Sequence, residues 1–285
     1  MSRIVYVNGT FLPEDNAMVS VFDRGFLFSD AVYEVVAVVR GKLLDFEGHL
    51  KRLRRSLSEI DMENPFASEG ELLSVFREIV DRNQLGEGAV YLQITRGVAD
   101  RSFLFPEAAK PTVVVFTQEM NLVNNPAAER GLKVVCVDDK RWGRRDIKTV
   151  QLLYQSMVKT QAQRRGVDDA WLVENGFVTE ATSSNAGIVK DHTIITRQLG
   201  EEILPGVTRA AVLKYAREKG LSVEERPFGV SEAKAADEAF VTSSGSFVLP
   251  VVRIDDHPVA DGIPGPVSRD LRSIYLNESL QNLAW

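Results

Sequence analysis

The sequence predicts an α+β chain of two lobes. Three observations carry this: β-branched runs, apolar residues at helical spacing within the same halves, and one polar stretch near the middle that ends in proline. At 285 residues the chain is long for one domain and sufficient for two. The predicted division is a small N-terminal lobe over 1–119, a linker over 120–125 and a larger C-terminal lobe over 126–285.

The elements follow in order. Arg3–Val7 and Thr10–Leu12 flank Asn8-Gly9, a hairpin signal because both turn residues tolerate positive φ. Ala31–Val39 is β-branched and aromatic and turns at Arg40-Gly41 into Lys42–Leu44. Leu50, Leu53, Leu57 and Ile60 predict a helix over 47–60, and Leu72, Leu73, Phe76, Ile79 and Val80 a second from Glu69. Strands 89–95 and 112–117 bracket a polar loop over 96–110, long for a hairpin and therefore a candidate functional segment. Beyond the linker the pattern reads strand 132–137, helix 150–164, strand hairpin 169–180 and strands within 186–196. Helix 208–219, strand 221–226, a short helix 231–236, strands 238–242 and 248–254 and a C-terminal helix complete it.

Composition excludes several classes. The net charge of −6 argues against nucleic acid or an anionic membrane as partner. Cys136 is the only cysteine, so no internal disulfide is possible; in an apolar run it reads as a small buried hydrophobe. Three histidines, far apart in sequence, give no metal site. No apolar run approaches the roughly 20 residues of a membrane span, and the first residues lack the apolar core of a secretory signal, so a cytoplasmic location is expected.

The chemistry concentrates at Lys148 and Glu180. Lys148 is expected where a strand gives way to a helix beginning at Thr149, behind Arg141, Arg144 and Arg145, whose positive field would favour a neutral, nucleophilic amine. Glu180 closes a hairpin and precedes Ser183, Ser184 and Asn185. Thr208 opens the helix after Leu204-Pro-Gly-Val, and Ser243 and Ser244 lie in the small-residue turn Thr242–Ser246. Each has a plain structural reading: a solvated lysine, an exposed hairpin carboxylate, a turn, a helix N-cap. Together they suit pyridoxal 5′-phosphate. An amine condenses with its aldehyde, a carboxylate keeps its ring nitrogen protonated, and a helix N-terminus with hydroxyls holds its phosphate.

Eight stretches in this order resemble the fold-type IV pyridoxal-phosphate enzymes, most of all the D-amino acid aminotransferases. They are Asp23–Gly25, Asp30–Val35, His49–Leu53, Gln93–Gly97, Asp146–Lys148, Val178–Asn185, Ile203–Arg209 and Phe240–Ser244. The resemblance implies two lobes with the cofactor between them and a homodimer. It makes Lys148 the Schiff-base lysine and Glu180 the partner of the pyridine nitrogen. Arg52, Val207, Thr208 and Ser244 become phosphate-binding positions. Helical periodicity alone does not separate Arg52 from Arg54 or Arg55.

In the same family an arginine and a histidine two residues later hold the substrate α-carboxylate. Arg101 matches the arginine, Phe103 stands where the histidine is expected, and Tyr33 matches the tyrosine beside substrate and cofactor. The implied activity is ping-pong transfer of an amino group from a D-amino acid, D-alanine-like, to a 2-oxo acid. Branched-chain L-amino acid or (R)-amine transamination and aminodeoxychorismate lyase activity are the alternatives within the fold. A non-catalytic binding protein has no chemical need for both Lys148 and Glu180.

Overall fold

The computed structural model describes residues 2–285 and resolves into two compact units. Unit 1 comprises Met1–Asn121, Ile147–Gln151 and Asn282–Trp285; unit 2 comprises Leu122–Asp146 and Leu152–Gln281. The chain thus leaves unit 2 after Asp146, gives one short segment to unit 1 and returns at Leu152. That excursion and the last four residues lie within the stretch that the sequence reading assigns to the C-terminal lobe.

Unit 1 contains β1 (Ile4–Val7), β2 (Thr10–Pro13), α1 (Arg24–Phe28), β3 (Ala31–Val39), β4 (Lys42–Leu43), α2 (Phe46–Glu59), α3 (Glu69–Arg82), β5 (Glu87–Thr95) and β6 (Thr112–Glu119). Its strands form one antiparallel sheet in the order β2-β1-β6-β5-β3-β4. Asn8 and Gly9 both take positive φ in the β1–β2 turn, as a two-residue hairpin with the strands' own twist requires. Leu50, Leu53 and Leu57 of α2 and Leu72, Phe76, Ile79 and Val80 of α3 are buried, so each helix packs the apolar stripe its spacing sets out. Helix α1 has no counterpart in the sequence reading. It is five residues long, too short to show a period, and is defined by its ends: Asp23 caps the Gly25 N–H and Ser29 stops it at φ 56°.

Unit 2 contains α4 (Pro126–Arg130), β7 (Leu132–Asp138), α5 (Leu153–Arg164), β8 (Asp169–Glu174), β9 (Phe177–Ala181), β10 (Asn185–Lys190), β11 (Thr193–Thr196), α6 (Val207–Glu218), β12 (Ser222–Glu225), α7 (Val230–Lys234), β13 (Glu238–Ser243), β14 (Phe247–Ile254), β15 (His257–Pro258) and α8 (Pro266–Gln281). The sheet runs β12-β11-β10-β13-β14-β7-β8-β9 with β15 beside β14, and is mixed: β11–β12, β14–β7 and β7–β8 are parallel. Trp171 and Phe228 meet edge to face at 6.1 Å in its core. Helix α4 starts on Pro126, with the Asn125 side chain capping the Ala127 N–H. The polar residues read as the end of a linker are therefore in part a helix start.

The expected helix from Thr149 begins instead at Leu153. Residues 147–151 are not helical and turn tightly at Lys148, where the Thr149 N–H donates to Ile147 O (2.8 Å); the Tyr33 N–H donates to Lys148 O (3.0 Å), the Val150 N–H to Ala31 O (3.2 Å), and Val32 bridges Thr149. Ile147, Thr149 and Val150 are β-branched and suit a pleated segment better than a first helical turn.

Gly97, just beyond β5, takes φ +98°, and a Cβ there would lie 1.8 Å from Lys110 O. Its carbonyl accepts the Arg24 N–H at 2.9 Å, tying the start of the 98–110 loop to α1. Gly97→Ala is expected to cost about 1–3 kcal/mol from the backbone conformation alone, with the clash added. A lowered thermal midpoint checks this; an unchanged one would refute the close approach.

Candidate active site

In unit 1 the segment carrying Lys148 lies along the first residues of β3. The Lys148 N–H donates to Ser56 Oγ on α2 (3.2 Å), and its Nζ stands 4.1 Å from the centroid of the Tyr33 ring. Tyr33 is braced by its neighbours: its ring stacks on Tyr91 at 5.6 Å, and Tyr91 on Phe116 at 4.6 Å. Lys148 and Tyr33, expected together at the site, are in contact. The position of Lys148 thus follows from backbone pairing with β3, not from a helix start.

Arg52 is separated from its neighbours by burial, which helical spacing could not do. It is 7% exposed, whereas Arg54 pairs with Glu69 at the surface and Arg55 reaches Glu59 at 3.8 Å. Arg52 Nε and Nη2 donate to the two oxygens of Glu34 at 2.9 and 2.7 Å, and His49 Nδ1 meets Glu34 Oε2 at 2.7 Å. Burial pushes the Glu34 carboxyl up, but the Arg52 guanidinium and the His49 ring outweigh it and hold the pKa at about 2. Burial lowers the His49 pKa, with the Glu34 carboxylate opposing it.

The 98–110 loop carries Arg101 and Phe103, both exposed. The Arg101 guanidinium lies 5.4 Å from the Phe28 ring centroid and 5.7 Å from that of Phe103. Arg24 donates to Ser102 O at 2.6 Å, and both Arg24 and Arg96 bind Asp30 (2.7 and 2.8 Å). Phe103 supplies a π face and no side-chain donor, so of this pair Arg101 alone offers donors to an anion.

In unit 2 Glu180, within β9, is 5% exposed, not the open hairpin carboxylate that its place in a hairpin also allowed. Asn185 Nδ2 and the Leu204 N–H both donate to Oε1 at 2.9 Å, and Arg141 Nη1 donates to Oε2 at 2.5 Å. Each carboxylate oxygen can accept two hydrogen bonds, so one acceptor position on Oε2 stays open. Burial pushes the Glu180 carboxyl up, with the Arg141 guanidinium and the Leu204 N–H opposing it. Gly206 permits this arrangement: a Cβ there would lie 1.9 Å from Asn185 Oδ1.

Two expectations are corrected here. Thr208 is not the N-cap of its helix: Gly206 is, and it offers no side-chain cap, so the first N–H groups of the 12-residue α6 lack one. Nor do the three arginines before Lys148 form an unbalanced positive field. Arg141 binds Asp139 and Glu180, Arg144 binds Asp146, and Arg145 binds Glu174. Val207 and Thr208 are the first two helical residues of α6, with Thr208 Oγ1 3.5 Å from Ser244 Oγ. Ser243 Oγ is 2.8 Å from Ser246 Oγ, and the buried Thr242 Oγ1 has no hydrogen-bond partner. Ser183 is exposed and Ser184 half-buried, with Ser184 O accepting the Ala181 N–H at 2.8 Å as part of the turn.

Glu34, His49 and Asp139 were not assigned a role at the site, and Arg141 only one in a positive field around Lys148. Glu34 had a signal, a charge inside the apolar run Ala31–Val39, and His49 opens one of the resembling stretches; Asp139 had none beyond its residue type. Burial, with Asp255 adding to it, pushes the Cys136 thiol up to about 12, which suits a packing role. Among the described residues no group of three or more His, Cys, Asp or Glu side chains could hold a metal, and no helix is long and apolar enough to cross a membrane.

The model of the class IV amino-transferases matches residues 31–254, and the chain belongs to that family. It is 38% identical over 282 residues to the D-alanine aminotransferase of Bacillus licheniformis, covering 98% of each chain. With the D-alanine aminotransferase of Staphylococcus aureus (strain COL) it shares 38% over 269 residues, 94% of this chain and 95% of that one. Among solved structures, a branched-chain amino acid aminotransferase complexed with N-(5′-phosphopyridoxyl)-L-glutamate superposes with a TM-score of 0.90. It is 25% identical, over 100% of this chain and 99% of that one. The branched-chain aminotransferase of Thermoproteus uzoniensis shares the fold, with a TM-score of 0.88 at 23% identity over 99% and 96% of the two chains.

The Glu34 triad sets a pH dependence of stability. A carboxyl whose pKa falls from 4.5 to about 2 on folding contributes on the order of 3 kcal/mol above pH 4.5, lost as the pH falls toward 2. Glu34→Gln is expected to be less stable than wild type at pH 6, with the gap narrowing between pH 4.5 and 2 in urea titrations. A gap independent of pH would contradict the ionised triad.

Proposed function

We propose that the chain is a pyridoxal 5′-phosphate aminotransferase that moves the amino group of a D-amino acid, D-alanine-like, to a 2-oxo acid in two half-reactions. The observation that carries the cofactor reading is the Glu180 carboxylate, buried, held by three donors and left with one acceptor position. An N–H bearing positive charge is the partner that such a position favours. The residues present fit the group in its other parts as well: an uncapped helix N-terminus at Val207 and Thr208 beside Ser244 suits a phosphate.

When bound, the cofactor supplies an aldehyde that condenses with amines and a ring that withdraws electrons from the substrate Cα. Lys148 contributes the amine, and its Nζ takes and returns the proton of the substrate Cα. The Tyr33 ring against Nζ restricts where that amine points. Glu180 holds the ring nitrogen, with Asn185 and Leu204 fixing the orientation of the carboxylate. Val207, Thr208 and Ser244 bind phosphate, joined by Arg52, whose guanidinium is set by Glu34. Ser183, Ser184 and Ser243 shape the turns on either side. Arg101 binds the substrate α-carboxylate.

The D-amino acid assignment is supported by the names of the relatives that match nearly the whole chain. Phe103 favours weaker grip on that carboxylate, since it leaves Arg101 as the one donor of the pair. We further propose a cytoplasmic homodimer. Phe22 just before α1, Phe26 on it, and Phe103, Leu104 and Phe105 on the 98–110 loop are exposed, apolar surface of the kind that pairs with a second copy.

Purified with the cofactor, the protein is expected to be yellow and to lose that absorbance on adding D-alanine but not L-leucine or (R)-1-phenylethylamine. A response to L-leucine alone would replace the substrate reading with the branched-chain one. Lys148→Ala is expected to retain cofactor binding with turnover lowered by at least a thousandfold; near-wild-type rates would remove Lys148 from the mechanism. Phe103→His is expected to lower the KM for D-alanine severalfold with kcat little changed.

A further inference from the structure

Arg141 stands behind Glu180 in a charge network that the cofactor's contacts do not account for. Its Nε and Nη2 donate to the two oxygens of Asp139 at 3.0 and 2.8 Å, its backbone N–H also reaches Asp139 at 3.1 Å, and Nη1 goes to Glu180. The Asp139 side chain is fully buried and is completed by the Thr179 hydroxyl (2.7 Å) and by Arg145 at 3.4 Å, which in turn holds Glu174. The guanidinium is therefore clamped on one side and presents a single N–H to Glu180. No donor to Glu180 can accept a proton in return.

We propose that Arg141 is a positioning residue for the reaction: clamped by Asp139, it keeps Glu180 an anion with one acceptor position open, and so decides that the cofactor's ring nitrogen binds in its protonated form. The inference rests on the reading of Glu180 as the partner of that nitrogen. Arg141 also answers to Asp139, so its charge is not Glu180's alone. A protonated ring nitrogen at the open acceptor position adds a positive partner to this buried anion; a neutral one adds none. Burial works against the Glu180 anion and Arg141 is the largest opposing influence, so losing Arg141 shifts Glu180 toward the neutral acid. A neutral acid has no preference for a cationic N–H.

The test compares the affinity of the apoenzyme for pyridoxal 5′-phosphate with that for an analogue whose ring nitrogen is replaced by C–H, read by fluorescence quenching. Wild type is expected to prefer the natural cofactor about 10- to 100-fold, the worth of one charge-assisted hydrogen bond. Arg141→Met is expected to bind both within about threefold of each other. Because that variant leaves Asp139 buried and short of its partner, Asp139→Asn/Arg141→Met serves as the folding control: a recovered thermal midpoint with the preference still absent supports the positioning role. Wild-type preference in either variant, or its return in the double variant, overturns the proposal. Arg141→Lys, which keeps the charge, is expected to retain a partial preference. Failure of wild type to bind either compound would remove the cofactor reading itself, which separates the two claims.

Discussion

A carboxylate buried in protein must be matched by donors or give up its charge, and the positions of several elements of unit 2 answer to that demand at Glu180. Asn185 reaches it from the start of β10, the Leu204 N–H from the loop before α6, and Arg141 from the segment after β7. The loop comes this close only because residue 206 has no side chain. The same loop then delivers Gly206 as the cap of α6, so the uncapped helix end and the matched carboxylate are two consequences of one backbone path. Unit 1 meets the same demand at Glu34, with Arg52 and His49 as the donors. In each unit, then, the residues assigned to the cofactor are held by buried carboxylates whose charge is balanced locally.

Much of this was legible in the amino-acid order. The periodic strands and helices and the α+β class follow from patterns that local physics enforces: alternation in β3, the apolar stripes of α2 and α3, the Asn8-Gly9 turn; the family followed from the resemblance of eight stretches. What escaped were features decided by partners distant in sequence. Residues 147–151 carry a helix-like continuation into α5, yet are held out of the helix by hydrogen bonds with Ala31 and Tyr33. Thr208 has the chemistry of a cap, but the close approach of Gly206 to Asn185 moves the cap two residues earlier. The arginines before Lys148 read as a positive field because sequence shows charges and not their pairings. Asp139 and Glu180 pair with Arg141, Asp146 with Arg144 and Glu174 with Arg145.

The short excursion at 147–151 has a further meaning for how the chain assembles. Strand β4 pairs only with Val38 and Val39 at the far end of β3, leaving the half around Ala31–Tyr33 as an open sheet edge on that side. An open edge invites pairing with other chains. Here the cover is supplied by a strap that arrives more than a hundred residues later in synthesis, and the strap is the piece that bears Lys148. The reactive amine is consequently delivered as the closing part of a sheet. A partly made chain would have the sticky edge and no nucleophile, and the closing that protects the edge is the same event that puts the amine in place.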